Sequence, residues 1–153
     1  MKIGFDLDGV LCEIDMVALN LMDKLPVNGR VDIESYYYDT VKPLLNPEDF
    51  LNDGDIYYVI TGRHDQLTAT TFRWLNKYCP NYSDYFIVGG KPWYLRDETD
   101  HKTFHKSGAE MKADLINTLE LDIYIDDSPK VVEILRRLCP NTKVIQYGGR
   151  ETY

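Results

Sequence analysis

No stretch of this 153-residue sequence is apolar over the roughly 20 residues needed to cross a bilayer. Cysteine is scarce as well. Cys12, Cys79 and Cys139 are an odd number at wide spacings, so they offer neither a disulfide framework nor a zinc spacing, and they suit a reducing compartment. Basic residues are outnumbered, with 17 Lys and Arg against 25 Asp and Glu, for a formal charge of -8 and a pI near 4.8. Duplex nucleic acid is repelled on average by such a chain, because backbone-phosphate binding rests on clustered Lys and Arg. A small phosphorylated ligand at one local site stays compatible with that charge. Low-complexity tracts and tails of like charge are missing, and the opening MKIGFDLDGV is too short and too acidic for a signal peptide. The expectation is one soluble, cytoplasmic domain over residues 1–153, with no membrane partner. At 44% hydrophobic it has enough material for a real core.

What the sequence does have is a series of short apolar runs: KIGFDL, DIYYVIT, YFIVGG, DIYIDD and, near the end, KVIQY. Each is rich in Ile, Val, Tyr and Phe, and most are apolar on both faces, the pattern of parallel strands covered by helices on both sides. Helical patterns alternate with them. DQLTATTFRWLNKY sets Leu67, Thr71, Trp74, Leu75 and Tyr78 along one face, and SPKVVEILRRL opens with Ser128 as N-cap and Pro129 at the first helical position. Two of these βα units end in Cys-Pro-Asn, a shared stop: proline cannot continue the helix and asparagine tolerates the turn. The fold class is therefore α/β, a Rossmann-like, doubly wound parallel sheet. Ligands of such sheets sit at the carboxyl ends of the strands.

Those ends carry unusual residues. The first strand ends in Asp6-Leu7-Asp8-Gly9, the second in Thr61-Gly62-Arg63, and the DIYI strand in Asp126-Asp127-Ser128-Pro129. Four carboxylates in one crevice cannot all ionise without a cation beside them. Oxygen donors select a hard ion, and magnesium fits a site of few protein oxygens plus a substrate phosphate. Asp6 and Asp126 can share that ion while Asp8 handles protons. A carboxylate is a competent nucleophile toward phosphorus, and a neighbouring acid can protonate the departing oxygen. The Thr61 hydroxyl and the Gly62 N–H suit phosphate oxygens, and a lysine would complete the charge balance.

DLDGV, ITGR, a lysine and IDD in this order resemble the haloacid dehalogenase superfamily of aspartyl phosphatases, over Ile3 to about Pro129. The resemblance implies Asp6 as nucleophile and Asp8 as general acid/base, the latter also lending its backbone carbonyl to magnesium. It implies Thr61 as phosphate ligand and Asp126 as metal ligand, with Asp127 beside it. Asp127 could instead cap the helix begun by Pro129. Of Lys91, Lys102, Lys106 and Lys112, the family's placement of its lysine ahead of the acidic strand favours Lys112, with Lys106 second. An acid at position 8, which the dehalogenase branch does not keep, favours phosphoryl transfer.

Residues 11–54 are too few for a large four-helix cap, so a minimal helical cap and an open site are expected. Within them CEIDMVALNLMDKL reads as an amphipathic helix, followed by a turn-rich piece and a short helix around NPEDFLNDG. The opening Asp-x-Asp-Gly-Val-Leu is similar to that of the small 5'-nucleotidase branch, which implies a nucleoside monophosphate substrate. Alternatives are a macromolecular phosphate, on a polynucleotide end or a protein, and a catalytically idle binding module. A phosphoryl-accepting receiver domain is excluded by the order, since its acid pair precedes its nucleophile and its lysine comes last. His64 is a candidate substrate contact. Asp97, Asp100, His101 and His105 read as part of a solvated loop rather than a zinc site, and Trp93, Tyr94 and Tyr36–Tyr38 as surface packing. Glu13, Asp15 and Arg30 read as solvated.

Overall fold

The five apolar runs become five four- to six-residue strands in the structure, a computed structural model that describes residues 1–97 and 107–148. They are β1 (Lys2–Phe5), β2 (Ile56–Thr61), β3 (Asp84–Ile87), β4 (Ile123–Asp126) and β5 (Lys143–Gln146). All pairings are parallel, in the order β3-β2-β1-β4-β5. With β1 central, the carboxyl ends of β1, β2 and β4 lie side by side. The doubly wound α/β fold expected from the sequence is the one observed.

Helices cover both faces, which explains strands without polar alternation. On one face Phe5, Tyr57 and Val59 pack with Trp74 and Leu75 of α3 (Thr68–Tyr78). On the other, Ile60, Tyr124 and Val144 pack with Ala113 and Ile116 of α4 (Gly108–Leu119) and with Val132 and Leu135 of α5 (Pro129–Leu138). The periodicity of the sequence located α3 correctly: Leu67, Thr71, Trp74 and Leu75 are all buried. Ser128 caps α5 as expected, its Oγ accepting from the Val131 N–H.

The insert between β1 and β2 departs from expectation. Its first helix, α1, runs only from Met16 to Met22 instead of over the whole of CEIDMVALNLMDKL. Cys12 and Glu13 are committed elsewhere: Cys12 bridges to Pro43, and the Glu13 N–H donates to the Lys42 carbonyl at 2.8 Å. Asp15 then caps the helix, its carboxylate accepting from the Val17 and Ala18 N–H groups, so it is more than a solvated acid. The turn-rich piece contains an 11-residue helix, α2 (Arg30–Thr40). RVDIESYYYDT has no one-sided apolar stripe: Tyr37 and Tyr38 pack against the core, and polar contacts to α3 add to them. Thr70 and Arg73 of α3 bond Asp39, and Thr70 Oγ1 also donates to the Ser35 carbonyl at 3.1 Å. The short helix around NPEDFLNDG is a single 3-10 turn, Pro47–Phe50. No helix among the described residues is long and apolar enough to cross a membrane.

Candidate active site

Strand pairing alone assembles the acids. The Asp6 N–H donates to the Ile125 carbonyl at 2.8 Å, so Asp6 emerges from β1 beside Asp126 at the end of β4. One carboxylate oxygen each from Asp6, Asp126 and Asp127 lies within 4.8 Å of the others, and all three residues are buried. The lysine expected to balance them is Lys112, one turn into α4. Its Nζ donates to Asp6 Oδ1 at 3.1 Å and to Asp126 Oδ2 at 2.7 Å, with only 6% of the residue exposed. Asp126 is further held by the Ser128 N–H and the Tyr124 hydroxyl. Lys91 lies in the loop after β3, where its carbonyl accepts from Arg96. Lys102 and Lys106 lie outside the described residues, as do Asp100, His101 and His105.

Among the described residues, the three carboxylates of Asp6, Asp126 and Asp127 gather around the Lys112 ammonium. Burial and the neighbouring Asp126 push the Asp6 carboxyl well above its ordinary range, against the pull of Lys112. Burial would lower the Lys112 pKa, but Asp6 and Asp126 outweigh it and hold the ammonium charged. The donor set is all oxygen, compact and electron-rich, and it fits a hard divalent cation. Gly9 makes room for this arrangement. Its φ is +84°, and a Cβ added there would stand 1.8 Å from Asp127 Oδ2. Asp127 belongs to the acidic cluster, and the helix cap next to it is Ser128.

The Asp8 side chain turns away from that cluster. Arg63 grips it with Nη2 on Oδ1 at 2.7 Å and Nε on Oδ2 at 2.9 Å. The guanidinium is itself fixed, with Nη1 donating to Thr71 Oγ1 at 3.0 Å and Cζ lying 4.1 Å from the Tyr38 ring centroid. Cys12 Sγ donates to Asp8 Oδ1 at 3.3 Å, and burial together with the Asp8 charge pushes that thiol well up. Thr61 ends β2 and is buried, its Oγ1 accepting from the Arg63 N–H at 3.2 Å while keeping its own proton to donate. Gly62 is exposed, with open space around it. Asp6, Asp8, Gly62, Arg63, Lys112 and Asp126 line one cavity of about 340 Å³.

The loop after β3 buttresses these groups. The Val88 N–H donates to the Thr61 carbonyl and the Gly89 N–H to the Arg63 carbonyl, at 2.9 and 3.0 Å. A Cβ on Gly89 would come within 2.3 Å of the Gly62 carbonyl oxygen, which gives the Gly-Gly pair at 89–90 a physical reason. His64 is not at the site. Its Nε2 lies 3.3 Å from Glu34 of α2, which also accepts from the Tyr94 hydroxyl. Arg30, read from the sequence as solvated, is buried: it bonds Asp23 and lies 4.1 Å from the Tyr94 ring centroid. The sequence reading quoted Arg63 in its motif but gave it no role. The signal was there, since an arginine beside a strand tip opposite two acids needs a carboxylate partner once buried.

Neither a protein-family model nor a curated protein sequence matches this chain. Several solved structures resemble it, three of them as follows. A chain of the Pnkp1/Rnl/Hen1 RNA repair complex superposes with a TM-score of 0.61 at 22% identity, over 99% of this chain and 43% of that one. This chain thus spans less than half the length of that relative. A hydrolase from Streptococcus pneumoniae TIGR4 gives 0.55 at 11% identity, over 97% of this chain and 92% of that one. A proposed beta-phosphoglucomutase from Thermotoga maritima gives 0.55 at 11% identity, over 99% and 86%. What these likenesses establish is the fold, an all-parallel α/β sheet covered by helices.

Proposed function

We propose that the protein is a magnesium-dependent phosphomonoesterase that works through an aspartyl-phosphate on Asp6. The observation that carries this reading is the bridge of Lys112 between Asp6 and Asp126, with Asp127 completing a buried acidic centre beside Asp8. Asp6, Asp126 and Asp127, with the Asp8 carbonyl, would hold the magnesium. When bound, the ion would supply Lewis-acid neutralisation of phosphoryl oxygens and favour the carboxylate form of Asp6. An Asp6 oxygen attacks phosphorus and the ester oxygen departs with the proton of Asp8. Asp8, now a carboxylate, takes a proton from the water that attacks the phospho-aspartate, and phosphate leaves with Asp6 regenerated. The Thr61 hydroxyl, the Gly62 N–H and Lys112 orient the phosphoryl oxygens. Retention of Asp6, Asp8 and Thr61 together supports an enzyme over an idle binding module, and three buried free cysteines support a reducing, cytoplasmic setting.

The substrate we favour is a small phosphorylated metabolite, a nucleoside monophosphate first. A second reading, a phosphate at a polynucleotide end, draws support from the likeness to a chain of an RNA repair complex. Phosphate release from 5'- and 3'-nucleotides, sugar phosphates, a phosphopeptide and a 3'-phosphorylated oligonucleotide, with magnesium and with EDTA, tests both. Magnesium-dependent release that Asp6→Asn abolishes is the expected result. Full activity in EDTA, or wild-type turnover by Asp6→Asn, would sink the mechanism.

A further inference from the structure

A second, larger cavity abuts the acidic one. It measures about 940 Å³ and shares Ile14 and Asp127 with it, so the two are neighbouring compartments of one depression. Its walls come from the start of the insert, the segment after α2 and the end of β5. The Glu13 N–H to Lys42 carbonyl bond and the Leu44 N–H to Leu11 carbonyl bond, both 2.8 Å, pin two of these segments together. The Asp15 N–H donates to the Tyr37 hydroxyl at 3.1 Å, fixing the ring of Tyr37 at the wall. Tyr147, the residue after β5, also lines the groove and is exposed. Apart from Asp127, which belongs to the acidic centre, the charged lining is Glu13, Asp15 and Lys42. That is a net negative wall with aromatic and aliphatic surface beneath it.

Resting on the phosphomonoesterase reading, the geometry points to this groove as the site of the leaving group, and to a leaving group with a flat or apolar face and no further anionic charge. A phosphoryl group at Asp6 places the rest of the substrate across Ile14, toward Tyr37 and Tyr147. Among the described residues, a second phosphate there meets Glu13 and Asp15 with Lys42 to offset them, while a nucleoside or another uncharged ring system finds a stacking surface. The groove therefore selects a nucleoside monophosphate over the end of a polynucleotide, whose next phosphate would enter the same compartment. Like charges in a partly solvated cleft disfavour one another by amounts that read as about a five- to tenfold change in kcat/KM.

The test compares a nucleoside 5'-monophosphate with the nucleoside 3',5'-bisphosphate, in which either phosphate that is removed leaves the other on the leaving group. p-Nitrophenyl phosphate, an activated ester that reports the chemistry itself, is run alongside. The expected result is a kcat/KM for the monophosphate about five- to tenfold or more above that for the bisphosphate. Glu13→Lys should narrow that ratio, mainly through KM for the bisphosphate, and Lys42→Glu should widen it. Opposite movements cannot come from a general loss of folding, and both side chains are on the exposed surface. Equal or better use of the bisphosphate, or a ratio unmoved by both variants, overturns the groove assignment while p-nitrophenyl phosphate is still hydrolysed. Failure to hydrolyse any of the three overturns the phosphomonoesterase reading and the groove with it.

Discussion

Arg63 holds Asp8 through both carboxylate oxygens, and the pair joins the carboxyl ends of two strands 55 residues apart in sequence. The guanidinium is itself positioned by its bond to Thr71 and its stacking on Tyr38. A planar fork is needed for this geometry, which a lysine cannot reproduce. Arg63→Lys should therefore fold but lose about 10- to 100-fold in kcat with little change in KM, because the proton donor is misplaced while the phosphate ligands stay. Steady-state kinetics against p-nitrophenyl phosphate checks this. A variant with wild-type kcat would show that Arg63 is structural only.

Lys112 bonds both buried acids, Asp6 and Asp126. Lys112→Met keeps the length and removes the charge, leaving carboxylates buried without their cation. We expect a loss of about 3–5 kcal/mol in urea unfolding carried out in EDTA. A loss below about 1 kcal/mol would mean that the centre tolerates its own repulsion by taking up protons.

The latch between the insert and the sheet should make stability depend on acid. Burial alone would raise the Glu34 carboxyl, but the hydrogen bonds from His64 and Tyr94 and the charge of Arg30 outweigh it and hold the group below its ordinary range. A carboxyl depressed in the folded state stabilises the protein above its unfolded pKa, near 4.5. That contribution fades as pH falls through the lower folded value. The gap in unfolding free energy between wild type and Glu34→Gln should thus be widest near neutrality and shrink in acid. A constant gap from pH 7 to pH 3 would remove Glu34 ionisation from the explanation.

Gly9→Ala places a methyl group where Asp127 Oδ2 already sits, on a backbone with positive φ. The acid must move, so if magnesium raises the Tm of the wild type, as the proposed site requires, the variant should lose much of that rise. Saturating a folded-state site about a hundredfold above its Kd is worth about 2.7 kcal/mol, which a thermal melt resolves readily. An undiminished magnesium shift would place the ion away from Asp127.

The sheet and most of the acidic centre were legible because both follow from local rules. Strands buried on two faces read as continuous apolar runs, and the carboxyl ends of parallel strands collect the ligand chemistry whatever lies between them. Lys112 emerged from the likeness of DLDGV, ITGR and IDD to a known order of motifs, and the structure seats it between Asp6 and Asp126. The insert was less legible. Arg30 looks like a surface cation until Tyr94 and Trp93, from the segment after β3, are brought over it and its own helix neighbour Glu34. The helix Arg30–Thr40 sets Tyr37 and Tyr38 against the core and adds hydrogen bonds and an ion pair to α3, a mixture that leaves no regular hydrophobic periodicity to detect. Arg63 needed the same long-range information, since its carboxylate partner is set by which strand β2 lies beside.

That anchoring of α2 divides the insert into a part that cannot change and a part that can. Glu34, Tyr38 and Asp39 tie α2 to His64, Arg63, Thr70 and Arg73, so altering its length would pull on the residue that orients Asp8. The connection from Asp23 to Gly29 carries almost wholly exposed residues. Lengthening an exposed connection of this kind costs little chain entropy. New loops or whole subdomains could be grafted there to reshape what approaches the groove, while the chemistry beneath is inherited unchanged.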